Sequence, residues 1–412
     1  MEHTHRRPHN QLKHPWLTYL LILFVPLAGF SIQIGFSLKP YMIFLIVVFF
    51  LYASSFIFDR LQPFEWIMLM FYFLYCFSGI FSLYSTASLR IIIGVILYLG
   101  FYLLMKAVLM RSTNRVIEAG ILWAGIVFNG MSLLLYAIGL SMVDAHVGER
   151  VSAYGVLFDR SYPRLIGVLD DPNFYVFYNT LFFSFYLTHL HDRKGKVGLF
   201  LCILASILTF SRGGLLVLFG LFILYFIFRR GLNRFKTIMV TALGGVIIYT
   251  VAFYVLHINI YDLFVARMGD LTYDGGSNRI DLWERAIGFM TDNPWLGLGP
   301  YNYAQYNEYY YGVDLSAHNT YLDILTDAGV LALLFYLMFL FVVVYQLVQS
   351  KLYRLKPYMM YALIGFVAQS LLLSVIINDM FFLYCAILAV FLSRDMATRK
   401  ERFDDRRSVF NG

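Results

Sequence analysis

Charge is what this sequence has least of. Charged residues make up 14% of the 412, hydrophobic residues 60%, and the mean hydropathy is +0.68. Soluble domains are nearer a quarter charged and half apolar, so a chain this poor in charge has no polar surface to show water and belongs in a bilayer. Cysteine is also scarce. Cys76, Cys202 and Cys385 each fall in a different apolar run and make no CxxC pair. That excludes a disulfide scaffold and a thiolate metal site, and leaves three small buried apolar residues. No P-loop, GxSxG, HExxH or dinucleotide fingerprint stands in a suitable context, which excludes the commonest nucleotide-binding and hydrolase chemistries. The first apolar run follows a basic head but has no small-residue cleavage site, so no cleavable signal peptide is expected. The net charge of +7 lies in short loops between apolar runs, not on one basic face, so nucleic acid is not an expected partner.

What is there in quantity is apolar helix. Runs lie near 16–35, 41–58, 64–83, 91–110, 116–140, 173–190, 197–210, 214–228, 237–256, 329–348, 358–377 and 380–393. A bilayer core takes about 20 apolar helical residues. Most runs reach that, and those at 197–210, 214–228 and 380–393 fall short. The expected fold is all-α: a polytopic transmembrane bundle of about twelve spans, with one large outer loop that contains short amphipathic helices. If the N-terminus is cytoplasmic, most of the 32 lysines and arginines fall in inner segments. The outer ones are Lys39, Arg90, Arg150, Arg160, Arg164, Arg212, Arg267, Arg279 and Arg285. This is the bias that sets membrane orientation, with both termini inside. The expected organisation is a basic tail at 1–15, a bundle at 16–256 with an outer loop at 141–172, a large outer loop at 257–328, further spans at 329–393, and an inner tail at 394–412. The four histidines of the head suggest metal at first glance, but a solvated tail is the commoner use.

The residues with chemistry to offer sit in the outer turns. Arg212, in LTFSRGGLLVL, lies in a tight turn between two short runs. An arginine so close to hydrocarbon is a functional candidate by default, and a residue snorkelling to lipid phosphate is the equal alternative. Arg279 opens an amphipathic stretch in which Asn278 is an N-cap candidate. It lies on the Trp283/Ala286/Met290 side of that helix, where a guanidinium and free backbone N–H groups favour an anion. His318 follows a Tyr-rich loop at the start of the next helix. It can serve as a base near neutral pH, although a lone His at a helix start is more often a hydrogen-bonding residue. Tyr303 and its neighbours could stack on sugar rings or form an interfacial aromatic belt. Arg164 and Asn173, around the pair Asp170 and Asp171, form a second arginine-plus-amide candidate, with Asn173 read as a helix cap. Two adjacent carboxylates make a weak metal site without a third ligand. Asn378 and Asp379 read as an ordinary polar pair in an outer turn.

In order along the chain, R164-x2-G167, D171-P-N173, T209-x-S211-R212-G213, R279 to W283, N293-P-W-x-G297-x-G299 and H318-N319-x9-G329 resemble the O-antigen ligase and polymerase superfamily. These are bacterial polytopic enzymes acting on undecaprenyl-diphosphate-linked glycans outside the cytoplasmic membrane. The likeness covers roughly residues 160–345 and does not reach the first five spans. In the family the His motif usually ends Gly-x-x-Gly, Thr or Tyr, where this chain has Ala332. The resemblance implies that Arg212 and Arg279 grip the donor diphosphate and that His318 acts as base on the acceptor hydroxyl. Arg164, Asn173, Ser211, Asn319 and Tyr303 would contact substrate. It implies a lipid-linked glycan donor, a glycan or lipid-linked acceptor, and no metal or cofactor. A transporter of lipid-linked glycan is the competing class, but no repeat relates the two halves and the polar mass lies in one outer loop.

Overall fold

A computed structural model describes residues 15–33, 36–53, 56, 58–142, 151–158, 162–228 and 279–410. The expected span at 237–256, the loop start at 257–278 with Arg267, and the N-cap candidate Asn278 lie outside the described residues. So do the basic head and the stretch 143–150.

The described chain is mostly helical. In order come α1 (Trp16–Phe24), a two-residue hairpin β1 (Ile32–Gln33) and β2 (Ser37–Leu38), α2 (Pro40–Tyr52), α3 (Pro63–Phe77), α4 (Ser85–Met110) and α5 (Asn114–Met142). A small antiparallel sheet follows between α5 and the next helix: β3 (Val151–Ala153), β4 (Val156–Phe158) and β5 (Pro163–Leu165), with Leu157 paired to Arg164. Then come α6 (Pro172–Thr188), α7 (Arg193–Leu208), α8 (Arg212–Phe228), α9 (Arg279–Asp292), α10 (Asn302–Tyr311), α11 (Thr320–Gln349), α12 (Leu352–Leu355), α13 (Pro357–Gln369) and α14 (Asp379–Phe410). The sheet is a local departure from the all-α expectation.

Four described helices are long and apolar enough to cross a membrane: α3 with its short extension to Phe81, α4, α5 and α11. Trp16–Leu27, Pro40–Tyr52 and Arg212–Phe228 are shorter apolar helices. The expected run at 358–377 is broken. Its helix stops at Gln369, and an irregular segment leads to Asn378. Hydropathy alone cannot see this break, because the segment is apolar yet packs on protein. Its carbonyls at Ser370 and Leu373 accept the Thr320 N–H at the head of α11, at 2.8 and 2.9 Å. Irregular backbone at such a place needs protein partners for its polar groups. The short 380–393 run is in fact the first part of α14, which continues through the charged tail.

Helix α3 packs along α11, α1 along α5, α13 along α6, and α14 along α4. A buried polar chain ties α5, α6 and α7 together. Tyr175 Oη donates to Asn129 Oδ1 at 3.0 Å, Asn129 Nδ2 to Asn179 Oδ1 at 2.9 Å, and Asn179 Nδ2 to Ser206 Oγ at 2.9 Å. Interhelical bonds of this kind are each worth about 1 kcal/mol in a bilayer and fix register.

Contacts sort the cations into two ends. Lys106 donates to the Arg60 carbonyl, Arg394 to carbonyls of the 109–112 turn, and Lys356 pairs with Glu118. At the other end, Lys39 pairs with Asp379. Asp379 is not the ordinary turn residue expected. It is fully buried, and it accepts from Tyr41 Oη and Tyr178 Oη, each at 2.6 Å, as well as from Lys39. A carboxylate in such a place must be paired, and this one knits the start of α14 to α2 and α6.

Candidate active site

The site gathers where α6, α8, α9 and α11 begin. At α6 the N-cap is Asp171, not Asn173: its carboxylate accepts from the N–H groups of Asn173 and Phe174 at 2.7 and 3.0 Å. Pro172 then occupies the first helical position, where its fixed φ and missing N–H cost nothing. Freed from capping, Asn173 turns its Oδ1 to the Ser211 hydroxyl, which donates to it at 2.7 Å. Ser211 closes the α7–α8 turn, whose backbone carries Phe210 at φ +51°. Arg164, from β5, is buried and donates from Nε to the Thr209 carbonyl at 3.1 Å. Arg164 thereby braces the turn that presents Arg212.

His318 lies just ahead of α11, not within it. Its backbone is left-handed, φ +49°, a conformation worth a local strain of about 1 kcal/mol for a non-glycine residue. The flanking residues hold it there. The Ala317 carbonyl accepts from Trp283 Nε1, and the Ala317 N–H donates to Asp323 Oδ1, both at 3.0 Å. Asn319 is the N-cap of α11 and accepts from the Tyr321 and Leu322 N–H groups. Its side chain serves the helix terminus. None of these bonds uses the imidazole, so the ring is presented by its backbone.

Electrostatics place Arg212, Arg279, His318 and Asp171 together. Burial first, then the neighbouring Arg212, lowers the pKa of Arg279, and Asp171 opposes the shift. Burial first, then Arg279, pushes His318 below its ordinary value of 6.5, and Asp171 again opposes. Two guanidiniums and an imidazole whose pKa is lowered thus come together near helix starts, where cationic groups and free backbone N–H groups favour an anion. Asn173, Ser211, Gly214 and Arg279 line a narrow crevice with Gln369 and Leu372. No pattern in the sequence marks Gln369, Leu372 or Asp323 for this site. Among the described residues, no group of three or more His, Cys, Asp and Glu is placed to hold a metal ion.

Tyr303 packs beneath this cluster, against Ala286 and Ala317. It is buried between α9 and α11, and its hydroxyl donates to the Leu282 carbonyl at 2.7 Å. The loop that carries Tyr303 and the NPWLGLG stretch is held in place by a break at Gly329. There α11 breaks, with φ +76° and ψ −178°. The NPWLGLG backbone satisfies the freed groups. Leu298 N–H donates to Thr326 O at 2.9 Å, Gly299 N–H to Asp327 O at 2.8 Å, and Val330 N–H to Pro294 O at 2.8 Å. The Asp327 carboxylate in turn accepts from the N–H groups of Tyr301 and Tyr303. One turn past the break, Ala332 is fully buried, so its small side chain fills a close-packed position. A Cβ on Gly329 would stand 2.2 Å from the Trp295 carbonyl oxygen. Gly329→Ala is therefore expected to undock the 293–299 segment. The backbone strain alone is about 1–3 kcal/mol. A lower melting temperature in detergent, with lost activity, is the expected reading; an unchanged melting curve would show that the break is dispensable.

No curated protein matches the chain. Residues 197–337 match the family described as O-antigen ligase. That stretch runs from α7 to the middle of α11 and carries Arg212, Arg279 and His318, and over it this chain, with its several apolar helices, is similar to the O-antigen ligase and polymerase superfamily.

Proposed function

We propose that this protein polymerises undecaprenyl-diphosphate-linked oligosaccharide repeats into a surface polysaccharide, at the outer face of a bacterial cytoplasmic membrane. The observation that carries the reading is the convergence of Arg212, Arg279 and His318, its pKa lowered by burial and Arg279, from segments far apart in sequence. Arg212 and Arg279 hold the donor diphosphate and stabilise it as charge grows on the leaving group. His318 takes the proton of the acceptor hydroxyl. That oxygen bonds to the anomeric carbon, the bond from that carbon to the diphosphate oxygen breaks, and undecaprenyl diphosphate departs. The imidazolium then returns its proton to water. Asn173 and Ser211 line the crevice beside Arg279 as substrate contacts, and Arg164 and Asn319 act by holding the turn and the helix that carry Arg212 and His318. The two guanidiniums do on the diphosphate what a metal does in other transferases. An apolar cleft of about 210 Å³ between α6, α7 and α8, lined by Phe183, Ile207 and Leu218, gives a prenyl chain a place next to the same α8.

The family description favours a second reading, a ligase that transfers the finished glycan to a different acceptor. One experiment separates the two. The purified protein is incubated with a defined undecaprenyl-diphosphate repeat alone, in excess EDTA. A ladder of longer lipid-linked products is the expected result. No growth until lipid A core is added would replace the polymerase with the ligase, and growth that needs added Mg²⁺ or Mn²⁺ would sink the metal-free mechanism.

A further inference from the structure

The anion-binding side is only one face of α9. Successive helical residues turn by about 100°. Arg279, Trp283, Ala286 and Met290 therefore fall on one side, and Asp281, Glu284, Gly288 and Asp292 fall about half a turn away. On that opposite side, α9 and α10 enclose a groove of about 720 Å³. Ligand sites run to roughly 300–1,000 Å³, so the groove has the room of one.

Its lining is half polar and half apolar in character. Phe289 forms the aromatic floor and packs against Tyr306, Tyr310 and Tyr311 at centroid distances of 5.6, 5.8 and 6.3 Å. Tyr310 is 62% exposed, with its ring open to the groove side. Three carboxylates, Asp281, Glu284 and Asp292, line the same space. The groove's cation, Arg285, is engaged: Nη1 donates to Asn307 Oδ1 at 3.0 Å, and the guanidinium lies 4.1 Å from the Tyr311 ring centroid. The groove thus presents negative charge and aromatic surface. Its charge repels a diphosphate or a lipid headgroup, and its carboxylates are ill suited to a hydrocarbon chain. An aromatic belt facing lipid has no reason to be lined with carboxylates. What fits is a ligand with many hydroxyl or amine donors and apolar C–H faces.

We propose that this groove binds a neutral or amino-sugar oligosaccharide, holding glycan units remote from the bond being made. The proposal rests on the reading of the protein as a glycan transferase, with α9 dividing the labour: one face toward the diphosphate, the other toward the sugar chain.

The test uses the full-length protein in detergent on an array of bacterial surface oligosaccharides that carry no diphosphate, spanning neutral, amino-sugar and acidic types. Neutral or amino-sugar members should bind. The double variant Tyr310→Ala/Asp292→Asn, at exposed positions, should weaken them roughly tenfold, the worth of one aromatic face and one carboxylate hydrogen bond. Arg279→Ala should leave this binding intact. Absence of binding across the array, preference for acidic members, or binding that follows Arg279 and ignores the double variant overturns the proposal. Groove-dependent binding without chain growth from lipid-linked repeats would keep the groove and remove the polymerase.

Discussion

His318→Ala and His318→Asn are both expected to cut glycan transfer by about 10²–10⁴-fold, the usual worth of a general base. Both proteins should insert and purify as the wild type does. The imidazole takes no part in the bonds that build its cradle, since Trp283 and Asp323 hold the backbone of Ala317 and Asn319 caps α11. Asparagine is the sharper control, because it tolerates the left-handed backbone and keeps a polar side chain without being a base. Full activity in the asparagine variant would end the base assignment. The pH profile adds a second check. Burial and Arg279 lower the imidazole pKa, so the ring is neutral at pH 7 and loses function only as pH falls through a value below 6.5. The acid limb of kcat/KM, which reports the free enzyme, should therefore lie below 6.5. A bound diphosphate offsets the field of Arg279 and raises the imidazole pKa, so the limb in kcat should lie higher. The reverse order of the two limbs would contradict an anion between them.

Arg279→Ala is expected to lower transfer by about 10²–10³-fold, as losing one preorganised donor to a developing anion does elsewhere. Arg279→Lys should recover only a small part of this. Lysine keeps the charge but not the planar fork that grips two phosphate oxygens at once. The same substitutions probe the coupling to His318. Arg279 is the main charged influence that depresses the imidazole. Its removal should let the His318 pKa rise toward 6.5, moving the acid limb of residual activity upward in Arg279→Ala but not in Arg279→Lys. A limb that stays put in both variants would mean that the two side chains do not share a site. The measurement separates an arginine that shares the histidine's site from one that anchors α9 to lipid away from it, and the loss of transfer in Arg279→Ala then reads its catalytic worth.

The membrane class was already determined by composition, because transfer into a bilayer depends on summed hydropathy and not on arrangement. Long uninterrupted runs became α3, α4, α5 and α11 for the same reason. The phase of α9 was also legible, since helical periodicity is local: Arg279 and Trp283 share a face, and Trp283 does reach Ala317 from it. Ordered short motifs from Arg164 to Gly329 pointed to the superfamily. What no local pattern could supply was partnership across the chain. Whether Asp171 or Asn173 caps α6 depended on Ser211, which claims the asparagine from 38 positions away. Tyr303 looked available for a ligand until the Leu282 carbonyl took its hydroxyl. Asp379 looked like a turn residue until Lys39, Tyr41 and Tyr178 surrounded it. The break at Gly329 and the irregular 370–378 segment are stable only because other backbone groups meet the hydrogen bonds that the helix gives up. Hydropathy and periodicity report the cost of putting a residue in a bilayer or on a helix face. The site is a matter of which distant groups pay one another's desolvation, and only the packed bundle decides that.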